Sequence, residues 1–267
     1  MSLSLLNNFK SENLYAHPFP AIIINNALPS RDIENLQKEI RIADKTINSK
    51  DKNQSRFAFT LEDSKKNHLE SIQRFIELHS SHKFLSDIFE IFSPYLNDNL
   101  PNLQNFYNED WSQPAQLIKN PPAKKTSYSP RLAHLDNLKD IFAFLFYIRL
   151  PEDNTKGGAL QLFKYKDRFR GFDRTQIKDN NYIPNKDIEL STEIPYVNNT
   201  FVCFLDGIRT VHGVTPRETS SFSRFYFTGG AQNSKPVYNP NHYLKSHEIF
   251  MDYFGNITQK IRRYIST

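Results

Sequence analysis

The chain has 267 residues, a formal net charge of +5 and a pI of about 9.1. That length supports a sizeable core without cross-links, and the lone cysteine, Cys203, excludes an internal disulfide and any cysteine-based zinc site. The mild charge excess is scattered in small groups and reads as solvated faces more than as a nucleic-acid groove.

In chain order, the opening MSLSLLNNFK has too short and interrupted an apolar stretch for a signal peptide. No apolar run reaches the roughly 18 residues of a membrane span. With a single cysteine, these features point to a reducing, cytoplasmic setting. HPFPAIIINNALPSRDIENLQKEI predicts a short strand over Ala21 to Ile24, a turn, then a helix capped by Ser30. Between residues 65 and 96, Leu69, Ile72, Phe75 and Ile76, then Phe84, Leu85, Ile88, Phe89 and Phe92, recur at helical spacing and predict two helices.

From residue 114 the character turns to strands. AQLIKN, IFAFLFYIRL and ALQLFKY read as strands, with PEDNTKGG as the turn before the third. A polar stretch from Lys166 to Glu193 shows no period and reads as a lid or binding loop. NTFVCFLD, VHGVTP and FSRFYFTGG follow as further strands, and the last segment reads as one or two helices. The expectation is a single unit, mainly β with flanking helices (α+β). Residues 1–113 pack on a β core over 114–230, and 231–267 form a helical tail.

The chemistry centres on RLAHLDNLKD, where His134 and Asp136 stand two apart. With 8 His and 29 acids in the chain, an acid two places after a His arises about once by chance. His68-Leu69-Glu70 is a second instance. It falls on a predicted helix, where positions i and i+2 face about 200° apart and cannot share an ion. On a strand, His134 and Asp136 face the same side, about 6 to 7 Å apart. His212 in VHGVTP is a candidate third ligand, and two histidines with one carboxylate suit non-haem Fe(II) with open positions. Arg224, 12 residues further on, would neighbour His212 if the two strands form a hairpin, and its guanidinium matches a carboxylate. By strand parity Arg224, Tyr226 and Thr228 share one face, and Phe225 and Phe227 the other. Each residue also has an ordinary reading: Asp136 as a turn cap at Asn137, Arg224 as a surface partner of Glu218.

The order H-L-D, GGALQLF, NTFVCFLDGIRTVHGVTP, FSRFYF resembles the Fe(II)/2-oxoglutarate-dependent dioxygenases, most nearly the prolyl-hydroxylase-like branch, over roughly residues 114 to 230. PFPAIIINNALPSRDIENLQKEI resembles the entry segment of that branch. The resemblance implies a double-stranded β-helix, a jelly-roll with iron between its sheets. It implies His134, Asp136 and His212 as iron ligands, and Arg224 as the anchor of 2-oxoglutarate with Tyr128 as a helper. Fe(II), 2-oxoglutarate and O2 form the reacting set, with ascorbate as reductant and a small molecule or peptide as substrate. The spacing from His212 to Arg224 is longer than usual in that branch, which makes Arg217 a rival anchor, and Tyr226 stands where relatives carry a small hydroxyl residue. Two other classes stay open: a non-catalytic cupin-like metal- or ligand-binding module, and a basic nucleic-acid binder.

Overall fold

The computed structural model describes residues 3–46, 56–100, 103, 112–124, 132–166, 183 and 185–238. Its strands are β1 (Leu14–Tyr15), β2 (Ala21–Asn25), β3 (Phe57–Phe59), β4 (Ser112–Asn120), β5 (Asp140–Ile148), β6 (Leu160–Tyr165), β7 (Ile188–Ile194), β8 (Thr200–Leu205), β9 (His212–Val214) and β10 (Arg224–Gln232). Its helices are α1 (Ser30–Thr46), α2 (Leu61–Lys66), α3 (Glu70–His79), α4 (His82–Phe92) and α5 (Leu96–Asn99).

All strand pairings are antiparallel. A seven-stranded sheet runs β1-β2-β8-β5-β10-β4-β3, and a three-stranded sheet runs β7-β6-β9. A short stretch at His134 pairs with His212 on the free side of β9 and adds a fourth row to the smaller sheet. After β4 the chain therefore alternates sheets: large at β4, small at His134, large at β5, small at β6 and β7, large at β8, small at β9, large at β10. Such alternation between two facing antiparallel sheets is the winding of a jelly-roll.

The large sheet is covered on both faces, and its sequence reflects this. In β5, Phe142, Phe144, Phe146 and Ile148 alternate with Ala143, Leu145 and Tyr147. The first set joins Phe201, Cys203 and Leu205 of β8 and Phe225 and Phe227 of β10 in a core with the helices. Phe75 of α3 seals that layer, 5.4 Å from the Phe146 ring and 4.1 Å from that of Phe227. On the opposite face, Val202 and Phe204 pack with Leu160, Leu162 and Ile194 of the small sheet. Each sheet thus presents one face to the space between them.

The helices are placed by their apolar stripes. Ile33, Leu36, Ile40 and Ala43 of α1 are buried at three- and four-residue spacing. The N-terminus of α3 has no side-chain cap of its own, so the Glu39 carboxylate of α1 takes the role. It accepts hydrogen bonds from the amides of Ser71 (3.0 Å) and Ile72 (2.9 Å), docking the two helices.

Three sequence expectations are corrected. The stretch from Lys166 to Glu193 contains strand β7, whose Ile188 and Ile194 are buried while most side chains between them face outward. His68 is not on a helix: it sits in the turn between α2 and α3 with φ of 53°, and only Glu70 is helical. Strands β9 and β10 do not form a hairpin, because they belong to different sheets. The expected C-terminal helices after residue 238 lie outside the described residues, as do residues 167–182.

Candidate metal and co-substrate site

His212 is the first residue of β9, and His134 is its partner across the sheet. Each backbone N–H of this pair donates to the other's carbonyl, at 2.8 and 3.0 Å. Gly213 eases the close approach of the two stretches. A Cβ there would lie 3.1 Å from the Ala133 nitrogen, tighter than neighbouring strands accept without shifting. The ring centroids of His134 and His212 stand 4.4 Å apart. Asp136 lies just past the bridge, in extended chain leading to β5, not in a continuous strand. Its Oδ1 is 3.5 Å from Nε2 of His134 and its Oδ2 is 3.4 Å from Nε2 of His212. One ligand atom from each of the three groups falls within 4.8 Å of the others, so they can hold one metal ion.

Both imidazoles are turned the right way for that task. Nδ1 of His134 meets the Leu132 carbonyl at 2.7 Å, and Nδ1 of His212 meets the Thr210 carbonyl at 3.0 Å. A carbonyl only accepts, so Nδ1 of each ring carries a hydrogen, and Nε2 is the nitrogen turned towards Asp136. Phe204 packs beside His212, its centroid 4.6 Å away.

Asp136 belongs to a second group as well, with Asp140 and Asp206. Asp140 accepts from the amides of Gln113 and Gln232 and from the Asn137 N–H. Asp206 is fully buried, and its burial, followed by the carboxylates of Asp136 and Asp140, pushes its carboxyl well above the usual range.

The three metal-ligand candidates line a cavity of about 350 Å³ between the sheets. Ala143, Leu145, Leu160, Phe204 and Val214 give it apolar walls, and Arg224, Tyr226 and Thr228 enter from β10. The parity read from the sequence holds: Phe225 and Phe227 turn away into the helical core. Arg224 reaches the cavity from the large sheet although His212 stands on the small one. Proximity arises from the sandwich, not from a turn.

Arg224 has unusual surroundings. It is 5% exposed and its Nε has no hydrogen-bond partner. Three tyrosine rings face its guanidinium: Tyr196 at 4.6 Å, Tyr147 at 5.2 Å and Tyr226 at 5.3 Å. The Tyr196 hydroxyl is held by the backbone of Ile148 and Phe225. The Tyr147 hydroxyl is buried beside the guanidinium, and by hydrogen-bond geometry it has no partner among the described residues. Gly158, with φ of +75°, keeps the space beside the guanidinium, since a Cβ there would lie 3.0 Å from Nη1. A buried guanidinium nitrogen left without an acceptor costs about 1 to 3 kcal/mol. Arg224 and Tyr147 together fit an anionic oxygen group, as a carboxylate is.

Arg217 is differently placed. Its Nη1 donates to the Pro121 carbonyl and its Nη2 to that of Phe222, each at 3.0 Å. Tyr128 lies outside the described residues. Tyr147 is a neighbour of Arg224 that the sequence reading passed over. It looks like one more aromatic in an apolar strand. Only its pairing with Tyr226 across β5 and β10 puts it beside Arg224.

No family model matches the chain. No curated protein matches it either. Solved structures do. One, from work on prolyl 4-hydroxylases of Phytophthora capsici, is 14% identical, with a TM-score of 0.48 over 91% of this chain and 68% of the other. Another is a prolyl hydroxylase from Trichoplax adhaerens in complex with a hypoxia-inducible-factor oxygen degradation domain peptide. It is 12% identical, with a TM-score of 0.47 over 81% and 85% of the two chains. A third is a viral collagen prolyl hydroxylase from Paramecium bursaria Chlorella virus-1 in a 2-oxoglutarate complex, 14% identical, with a TM-score of 0.37 over 80% and 96%. All three of these neighbours are prolyl hydroxylases. Among the described residues no helix is long and apolar enough to cross a membrane.

Proposed function

We propose that the chain is an Fe(II)- and 2-oxoglutarate-dependent dioxygenase that hydroxylates an organic substrate, with succinate and carbon dioxide as co-products. The observation that carries this reading is the meeting, in one cavity, of a two-histidine, one-carboxylate group with a buried arginine whose Nε has no acceptor among the described residues. His134 and His212 ligate through Nε2, each ring held by a backbone carbonyl at Nδ1. Asp136 supplies the charged oxygen. Arg224 binds the distal carboxylate of 2-oxoglutarate, with the Tyr147 hydroxyl as a second donor. Tyr128, six residues before His134, is a further candidate for contact with the co-substrate. The bound iron, with 2-oxoglutarate and O2, supplies oxidative decarboxylation and oxidation of a substrate C–H bond. The apolar walls at Leu145, Leu160 and Phe204 exclude water from that chemistry.

The test is direct. The purified chain, given Fe(II), ascorbate and 2-oxoglutarate, should bind one metal ion and release succinate slowly even without a prime substrate. His134→Ala should lose both the metal, measured by atomic absorption, and the succinate. An absence of succinate release together with unchanged metal content in His134→Ala would end the proposal.

A further inference from the structure

The cavity holds a second cation that the reading above leaves unused. Arg56, the residue before β3, lines the cavity together with Asn120 of β4 and Arg224 of β10. Their placement is a consequence of register. Asn120 pairs with Arg224 across β4 and β10, and Phe57 pairs with Lys119 across β3 and β4. One step back from Phe57, Arg56 falls opposite Asn120. Residues opposite one another in antiparallel strands face the same side, so Arg56, Asn120 and Arg224 form a single row. With strands about 4.8 Å apart, the two arginine backbones stand about 10 Å from each other.

The two cations differ in setting. Arg224 is buried under three tyrosines. Arg56 is exposed at the mouth, and no ion pair or hydrogen bond joins it to another described residue. A cavity with a metal-binding group on one sheet and two guanidiniums on the other has one cation more than a single dicarboxylate needs. The net charge of +5 adds a favourable long-range field for an anion.

We propose that Arg56 is the specificity-determining residue of this site, and that the prime substrate is a small molecule carrying an oxyanion, a carboxylate or a phosphate, which Arg56 binds beside Asn120. The proposal rests on the dioxygenase reading for the role of Arg224. A planar guanidinium receives either anion in two parallel hydrogen bonds. Held there, the substrate lies over the apolar wall between Arg56 and the His134–Asp136–His212 group, so a C–H bond near its anionic end faces the reacting centre.

The test is isothermal titration of the full chain, loaded with Mn(II) and 2-oxoglutarate, using inorganic phosphate in one arm and acetate in the other. One further anion should bind per chain, and the arm with the tighter binding identifies the headgroup. Arg56→Gln should weaken that event at least tenfold, Arg56→Lys should retain part of it, and both should bind 2-oxoglutarate as the wild type does. Arg74→Gln removes the same charge from the exposed face of α3 and should change nothing. If no second anion binds in either arm, or if Arg56→Gln matches the wild type, the proposal fails. It also fails if Arg56→Gln weakens 2-oxoglutarate, since Arg56 would then belong to the co-substrate. Should the wild type bind no 2-oxoglutarate at all, the dioxygenase reading falls separately. The anion titrations, repeated on the metal-free chain, then decide on Arg56 by the same comparison.

Discussion

At the scale of single residues, the cavity is lined by Arg224, the arginine that the sequence reading preferred, and not by its rival Arg217. Arg217 and Arg224 both follow His212, and both are buried. Arg217 donates to two backbone carbonyls and so ties the segment after β9 to that after β4. Burial, and then the nearby Arg224 charge, lowers its pKa. Arg224 lies against three tyrosine rings, and its Nε has no acceptor among the described residues. Their substitutions should therefore fail in different ways. Arg224→Gln should raise the dissociation constant of 2-oxoglutarate by about 30-fold or more, since losing one partner of a buried charged pair costs about 2 kcal/mol or more. Tyr147→Phe should raise it about tenfold, the size of one hydrogen bond to a charged group. Arg217→Gln should lower the melting temperature and leave the affinity of the folded protein nearly intact. Equilibrium binding on the three variants checks the order, and a reversed order for the two arginines would move the anchor to Arg217.

At the scale of elements, the buried histidine of α3 carries a pH dependence. His79 is fully buried; its Nδ1 donates to the Phe75 carbonyl and its Nε2 accepts from the Leu5 amide, so the ring is neutral and both nitrogens are occupied. Burial lowers its pKa from 6.5 to about 3, against a smaller opposing effect of the Phe75 carbonyl. Between those values the unfolded chain binds a proton that the folded chain does not. The stabilisation is complete above pH 6.5 and is lost as pH falls towards 3. Between pH 7 and pH 5 the loss from this one group is about 2 kcal/mol. His79→Gln removes the titration, so its urea midpoint should fall less over that interval than that of the wild type. Parallel curves would show that His79 does not titrate in this way. The strongest elements were legible for the same reason that they are stable. β5, β8 and β10 carry large side chains on alternate positions, and α1, α3 and α4 carry apolar stripes. β7 was not legible, because between Ile188 and Ile194 it holds Glu189, Ser191 and Glu193 on a largely outward surface. β3 and β9 have three residues each, too few for any period to show.

At the scale of the whole molecule, the site joins two layers that the chain visits by turns. The jelly-roll places His134 and His212 on the small sheet and Arg224 and Tyr147 on the large one. The sequence motifs singled out His134, Asp136 and His212, which the fold brings together, but the local inference of a hairpin from His212 to Arg224 missed the crossing between sheets. Side-chain parity survived that error, because alternation belongs to the strand and not to its partner. A ligand that touches both layers binds the folded state alone, so it adds stability by mass action. At 100 times its dissociation constant the gain is about 2.7 kcal/mol, which for a chain of this size raises the melting temperature by about 5 to 10 °C. Mn(II) should give such a rise by itself through His134, Asp136 and His212. 2-Oxoglutarate alone should give little, because its second attachment point is the metal. Together they should exceed the sum of the separate shifts. His134→Ala should abolish the metal shift and the excess. Arg224→Gln should keep the metal shift and lose most of the excess. Thermal unfolding over this matrix of ligands and variants checks the coupling, and strictly additive shifts would mean that the metal and the dicarboxylate bind in places that do not communicate.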